Sequence, residues 1–189
     1  MKKDRKNIIL QSLAAMLEEK NMSKITTASL AKKSNITEAA LYRHFPSKRS
    51  IYAELFSFCD DTIFAKCNEL KKEKISAHEK VKKIFIFFML FIEKNKGFAR
   101  LLSREALSSA EQNVSDNVNQ FYERFELVLR QMLKEDEKNL TTQAGISAQL
   151  IITVLEGNIG RYIRSKFKDS PSTYIENVWT LLSLSIFKN

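Results

Sequence analysis

The stretch from Thr26 to Lys48 constrains this chain more than any other, because it reads as two short helices joined by a tight turn and then stopped. Thr27 is the expected N-cap of a first helix over 28–34, in which Leu30 and Ala31 face inward while Lys32 and Lys33 stay in water. Asn35 ends that helix, since Asn tolerates the left-handed backbone a sharp turn needs. Thr37 then caps a second helix, with Ile36 before the cap and Leu41 after it as a hydrophobic staple. That helix stops near Phe45, because Pro46 disfavours helical geometry in the residue before it. Two capped helices with so short a turn between them make a helix-turn-helix outline.

Four Gly and two Pro leave little room for strands and turns, and a hydrophobic share of 44% suffices for a real core, so the chain is expected to be all-α. The formal charge of +9 is unevenly placed. Residues 1–50 hold eleven Lys or Arg against four Asp or Glu, a net +7, and the rest of the chain carries only +2. A positive end suits a polyanion, since neutralising phosphates releases counterions. Cys59 and Cys67 fall eight apart on one expected helix, too far to bridge, and read as buried thiols of a reduced compartment. No secretory signal is recognisable, and the longest apolar run, 84–92, is about half a membrane span, so a cytoplasmic, nucleoid-associated protein with no membrane partner is expected.

A first helix over 5–20 places Ile9, Leu13, Met16 and Leu17 at helical spacing and completes a three-helix head. Lys2, Lys3, Arg5 and Lys6 form a short basic arm able to reach phosphate. Ser47 caps a long helix over 48–70, with Ile51, Leu55, Phe58, Thr62 and Cys67 as its stripe. Ser76 caps the next, which runs to about 94 and ends at Gly97 as a turn residue. Helices follow over 98–107, 117–134, 142–167 and 172–187, giving domains of 1–47 and 48–189. Gly157 and Gly160 inside the penultimate helix imply that another backbone comes close. The last two helices are too apolar for a free end and read as a homodimer seam carrying Leu150, Val154, Gly157, Val178, Leu181 and Leu182.

No catalytic constellation is visible. His44 and His78 lie in no metal-binding spacing, the four glycines build no phosphate loop, and adjacent carboxylates such as Asp60 and Asp61 point apart on a helix. The expectation is a non-enzyme with no cofactor and no metal. Nucleic-acid chemistry can instead be assigned residue by residue. Thr37, Glu38 and Ala39 open the second motif helix, where a helix in the major groove meets base edges. Glu38 can accept from a cytosine amino group and Ala39 can meet a thymine methyl. Tyr42 and His44, with Thr26, Thr27 and Lys48, suit phosphate contacts, and Arg43 adds a cation beside them. Leu41 and Phe45 are expected in the core. A two-fold pair of such heads would prefer a palindromic double-stranded DNA site.

The run EAALYRHFPSK, preceded by ITT and a small-residue helix, resembles the DNA-binding domain of the TetR family of bacterial regulators, although Asn35 stands where that family usually has a turn glycine. The resemblance implies a TetR-like all-α fold of about nine helices, with a helix-turn-helix head and a helical dimerisation body. It also implies phosphate roles for the matching Thr, Tyr, His and Lys positions.

The likeness continues through ILQSLAAMLEE, EKNKGFARLLSREAL and RYIRSKFKDSPST, where the chain is similar to the nucleoid occlusion branch of that family. Those factors capture the C-terminal tail of the tubulin-like division protein FtsZ while bound to DNA. By that resemblance, the tail groove would include Phe58, Lys66, Phe87, Leu90, Lys94 and Asn95. The apolar run 84–92 leaves its helix without a polar face, and neighbouring helices, a small-molecule cavity or a partner peptide could each cover it. An ordinary ligand-released repressor remains the alternative, and it predicts a cavity lined by Phe85, Phe88, Phe121 and Phe125.

Overall fold

The computed structural model describes residues 2–19, 25–107 and 112–188. Among them lie nine α-helices: α1 (Lys2–Glu18), α2 (Thr27–Lys33), α3 (Glu38–His44), α4 (Lys48–Lys72), α5 (Ala77–Lys94), α6 (Lys96–Leu102), α7 (Gln112–Lys134), α8 (Ala144–Arg164) and α9 (Ile175–Ile186). The one β feature among these residues is an isolated bridge between Leu140 and Phe187. The fold is all-α, as the composition predicts.

Local side-chain chemistry sets the starts of α2 to α5. Ser47 accepts from the Ser50 N–H at 3.2 Å, and the Ser47 N–H donates to the Ser50 hydroxyl at 3.3 Å, so α4 opens on a reciprocal cap. Ser76 and Glu79 do the same for α5, and the hydrogen bonds from the Ser76 N–H and hydroxyl hold the Glu79 carboxyl below its usual range. The last helix begins later than expected, at Ile175, because Pro171–Thr173 form a 3-10 turn first. Helix α8 ends at Arg164 rather than continuing to 167, since Lys166 and Phe167 both turn left-handed. The Phe167 N–H closes that end on the Tyr162 carbonyl at 2.9 Å, with the two rings edge-on at 5.0 Å.

The helices gather into two compact units, Met1–Asp60 with Asn95–Val118, and Asp61–Lys94 with Asn119–Asn189. This differs from a boundary at 47, because the first turns of α4 and all of α6 pack with the head. In the first unit α1 packs on α2 and α6, and α2 packs on α3. Ile9, Leu13, Leu17, Leu30, Leu41, Phe45, Ile51 and Leu101 are buried there. Gly97 is not the turn residue that its position suggests. It sits inside α6 with ordinary backbone angles, and a Cβ there would meet the Ala14 carbonyl oxygen and the Leu17 Cβ, each at 3.1 Å. Glycine therefore allows α6 to lie against α1. The buried Arg100 then donates to the Leu17 carbonyl at 2.7 Å and to the Glu19 carbonyl at 2.5 Å, satisfying the end of α1.

The second unit is built on α5, which packs against α8, α9 and the 3-10 turn. Phe88 lies 6.1 Å from Phe121 and 5.2 Å from Phe125, and Phe85 lies 5.5 Å from Trp179, all measured between ring centroids. The Lys80 ammonium reaches the Glu135 carboxylate at 2.6 Å, which allows a buried lysine in this wall. Cys59 in the first unit and Cys67 in the second are free and buried, and burial pushes each thiol up to about 12.

Candidate nucleic-acid interface

The head presents its reading surface through two short helices. Thr26, not Thr27, caps α2: its hydroxyl accepts from the Ser29 N–H at 3.1 Å while its own N–H donates to the Ser29 hydroxyl at 2.9 Å. Two adjacent threonines are equally good caps in isolation, and Ser29, three residues on from Thr26, decides between them. Asn35 takes the expected left-handed angle, φ 53°. Thr37 caps α3 by accepting from the Ala40 N–H at 3.2 Å, and Phe45 ends it in extended backbone, as expected from Pro46.

Displaced from the cap, Thr27 takes another role. Its hydroxyl donates to the Glu38 carboxylate across the turn, and the Tyr42 hydroxyl lies 3.5 Å from the same Thr27 oxygen. The first turn of α3 is thereby tied to the start of α2, and Glu38 is held in one orientation. Thr26, Glu38, Ala39, Tyr42 and Arg43 are exposed, His44 is half-buried, and Leu41 and Phe45 are core as expected. Lys48 is half-buried and its ammonium stands 5.2 Å above the Tyr52 ring. The basic arm is corrected in part. Residues from Lys2 onward are already helical, and Lys6 is committed to the Glu54 carboxylate at 3.0 Å and to the Phe45 ring at 5.0 Å.

The expected seam residues face two ways. On α8, Leu150 is exposed, Val154 half-buried, and Gly157 exposed, with nothing within 4 Å of where its Cβ would be. Among the described residues, no neighbouring element approaches Gly157. On α9, Leu181 is 70% exposed and Val178 half-buried, but Leu182 is 6% exposed and belongs to the core. Leu184 takes its place on the outer face, and Ile146 extends the face of α8. Leu184 was legible as the residue three beyond Leu181.

The six residues expected to share a tail groove are divided between the units. Phe58, 65% exposed, and Asn95 line a cavity of about 310 Å³ in the first unit, between α1, α4 and α6. Lys66, Phe87, Leu90 and Lys94 belong to the second. There, Phe87 and Leu90 are half-buried on the outer side of α5, Lys94 is exposed, and Lys66 pairs with Glu69 at 2.6 Å. The phenylalanines offered as walls of an effector cavity are fully buried, and Phe88, Phe121 and Phe125 pack on one another with ring centroids 5.2–6.1 Å apart. Among the described residues no group of three or more His, Cys, Asp or Glu could hold a metal ion, and no helix is long and apolar enough to cross a membrane.

A three-helix head, net +7 over residues 1–50, with an exposed and N-capped second motif helix and joined to a helical body, defines a helix-turn-helix DNA-binding regulator. Residues 9–55 match the family model described as bacterial regulatory proteins of the tetR family, and residues 76–186 match the tetracyclin repressor-like C-terminal domain of the SlmA-like type. The chain is 37% identical over 190 residues to the nucleoid occlusion factor SlmA of Vibrio campbellii, covering 98% of this chain and 97% of that one. To the SlmA of Marinomonas sp. it is 35% identical over 192 residues, covering 100% and 98%. Among solved structures it resembles the secondary repressor NalD of Pseudomonas aeruginosa, with a TM-score of 0.81, 14% identity and 99% of each chain covered. It also resembles the transcriptional regulator FadR of Bacillus subtilis, with a TM-score of 0.78, 16% identity, and 95% and 98% covered. The chain belongs to the TetR family, on the branch of the SlmA nucleoid occlusion factors.

Proposed function

We propose that this protein is a nucleoid occlusion factor. It acts in the cytoplasm on the nucleoid, binding palindromic duplex DNA as a homodimer. From the DNA it captures the C-terminal tail of FtsZ and antagonises division-ring assembly over the chromosome. Glu38 and Ala39 read base edges, and Thr26, Tyr42, Arg43, His44 and Lys48 hold phosphates. The outer face of α8 and α9 supplies the dimer seam. The observation that carries this reading over a ligand-released repressor is that Phe85, Phe88, Phe121 and Phe125, the walls an effector cavity would have, are fully buried, the last three packed on one another.

On the body, half-exposed Phe87 and Leu90 beside the exposed Lys94 suit a peptide with an apolar anchor and acidic flanks. The test is binding of a fluorescent FtsZ tail peptide to the DNA-bound protein. Lys94→Glu is expected to weaken it about tenfold, while Lys188→Glu, at the far end of the chain, leaves it unchanged. Equal binding by both variants and the parent removes α5 from the tail surface.

A further inference from the structure

An open concavity of about 540 Å³ lies where α2 meets α3, lined by residues of α2, the turn and the first residue of α3. Of the described residues that line it, Lys32 and Glu38 are charged, and both are exposed. Ala28 and Ala31 form the rest of its α2 wall, so methyl groups stand beside the lysine. Lys32 follows Ala28 by four residues on the same face of α2, and helical side chains lean towards the start of their helix. That start holds Thr27, whose hydroxyl donates to the Glu38 carboxylate. The Lys32 ammonium is thus carried towards the acid that opens α3. The neighbouring Lys33 is engaged elsewhere, with the Glu19 carboxylate at 3.1 Å. Among the described residues Lys32 shares an ion pair with no carboxylate, Glu38 included, so both charges of the concavity face outward together.

We propose that Lys32 and Glu38 together read one C·G base pair of the DNA site, with Lys32 as the residue that selects the guanine. This rests on the duplex-reading role of Glu38 proposed above, and it adds the partner that role requires. In the major groove a C·G pair offers the cytosine amino donor beside the guanine O6 and N7 acceptors. A carboxylate meets the first and an ammonium the second, and the concavity brings one of each to the same opening. An A·T pair serves the lysine less well, because thymine offers it one carbonyl oxygen beside a methyl group where guanine offers two acceptors. The two charges also need each other. A carboxylate entering the groove is repelled by the phosphates of both strands, and an ammonium beside it offsets that repulsion. The competing use of Lys32 is a phosphate contact, which would hold the head on DNA without carrying sequence information.

The experiment selects duplexes from a random pool with the full parent chain, then substitutes the preferred site one base pair at a time. Competition binding ranks these duplexes for the parent, Lys32→Met, Glu38→Gln and Lys33→Met. Lys32→Met keeps the apolar stem and removes the ammonium, and it is expected to lose about tenfold discrimination at one C·G pair. Glu38→Gln is expected to relax the same pair, and Lys33→Met to relax none. Lys32 is exposed, so the helical circular dichroism should be unchanged. Uniform weakening of every duplex by Lys32→Met assigns its ammonium to phosphate and overturns the proposal. So does unchanged discrimination, or relaxation at a base pair other than the one that Glu38→Gln relaxes. A parent chain that selects no duplex refutes the DNA reading itself, and this inference with it.

Discussion

Replacing Leu181 by Asp tests the dimer seam with the least disturbance to the chain itself. Leu181 is 70% exposed in the single chain, so about seven-tenths of a full burial is left for a partner to supply. Full burial of a leucine side chain contributes about 1.5–3 kcal/mol, and seven-tenths of that is roughly 1–2 kcal/mol per copy. A two-fold interface uses the residue twice, so the lost burial alone is about 2–4 kcal/mol. Two carboxylates brought into an apolar seam add a desolvation cost of at least about 1 kcal/mol. The dimer constant should therefore weaken by about a hundredfold or more, at roughly 1.4 kcal/mol per factor of ten. The fold should barely change, since an exposed substitution usually stays within about 0.5 kcal/mol. Sedimentation equilibrium reads the first quantity and urea unfolding at low protein concentration the second. Leu182→Ala supplies the contrast: its side chain is core, so it should cost the chain about 2–5 kcal/mol. An unchanged dimer constant for Leu181→Asp refutes the seam. So does a monomer destabilised as severely as by Leu182→Ala.

Other outcomes follow from single contacts. Arg100→Met keeps an apolar stem but strands the Leu17 and Glu19 carbonyls, and should lower unfolding stability by about 2–4 kcal/mol after allowing for the guanidinium desolvation regained. Urea titration checks it, and a loss below about 0.5 kcal/mol contradicts the cap. His78 lies between the Trp179 ring at 5.4 Å and the Phe187 ring at 4.8 Å, and burial, then Lys82, holds it below its ordinary value of 6.5 against the opposing pull of Glu79. The folded chain thus binds this proton less readily than the unfolded chain, so stability is complete above pH 6.5 and declines as pH falls through and below it. Thermal unfolding from about pH 7.5 to 5.5 should show that decline in the parent and less of it in His78→Phe. Thr27→Val removes the hydroxyl that orients Glu38 and should relax base preference more than total affinity, whereas Tyr42→Ala should weaken all duplexes alike. Competition binding across a base-substituted site series separates the two patterns.

What was legible in the chain was what short-range chemistry decides. Thr37, Ser47 and Ser76 cap where they were expected to, because a cap needs only a hydroxyl and an N–H two or three residues away. Asn35 and Pro46 marked their turns for equally local reasons. The misreadings involve partners distant in sequence. Gly97 looked like a helix stop because a turn and a close approach favour the same residue, and only the Ala14 carbonyl 83 positions earlier distinguishes them. Lys6 read as part of a phosphate-reaching arm until Glu54 came beside it, and nothing near Arg100 in the sequence announces its place at the end of α1. Leu182 was assigned outward because the apolar composition of α9 blurs its helical phase, and one residue is a rotation of about 100°.

The measurement that bears most directly on the account is the affinity and stoichiometry of the full chain on palindromic duplexes over a range of salt concentrations. A dimer presenting two heads, each with a net +7 in residues 1–50, predicts two chains per site. It also predicts an association constant whose logarithm falls linearly with log salt, by about 0.9 for each phosphate neutralised. Binding by single chains, or affinity indifferent to salt, would contradict it.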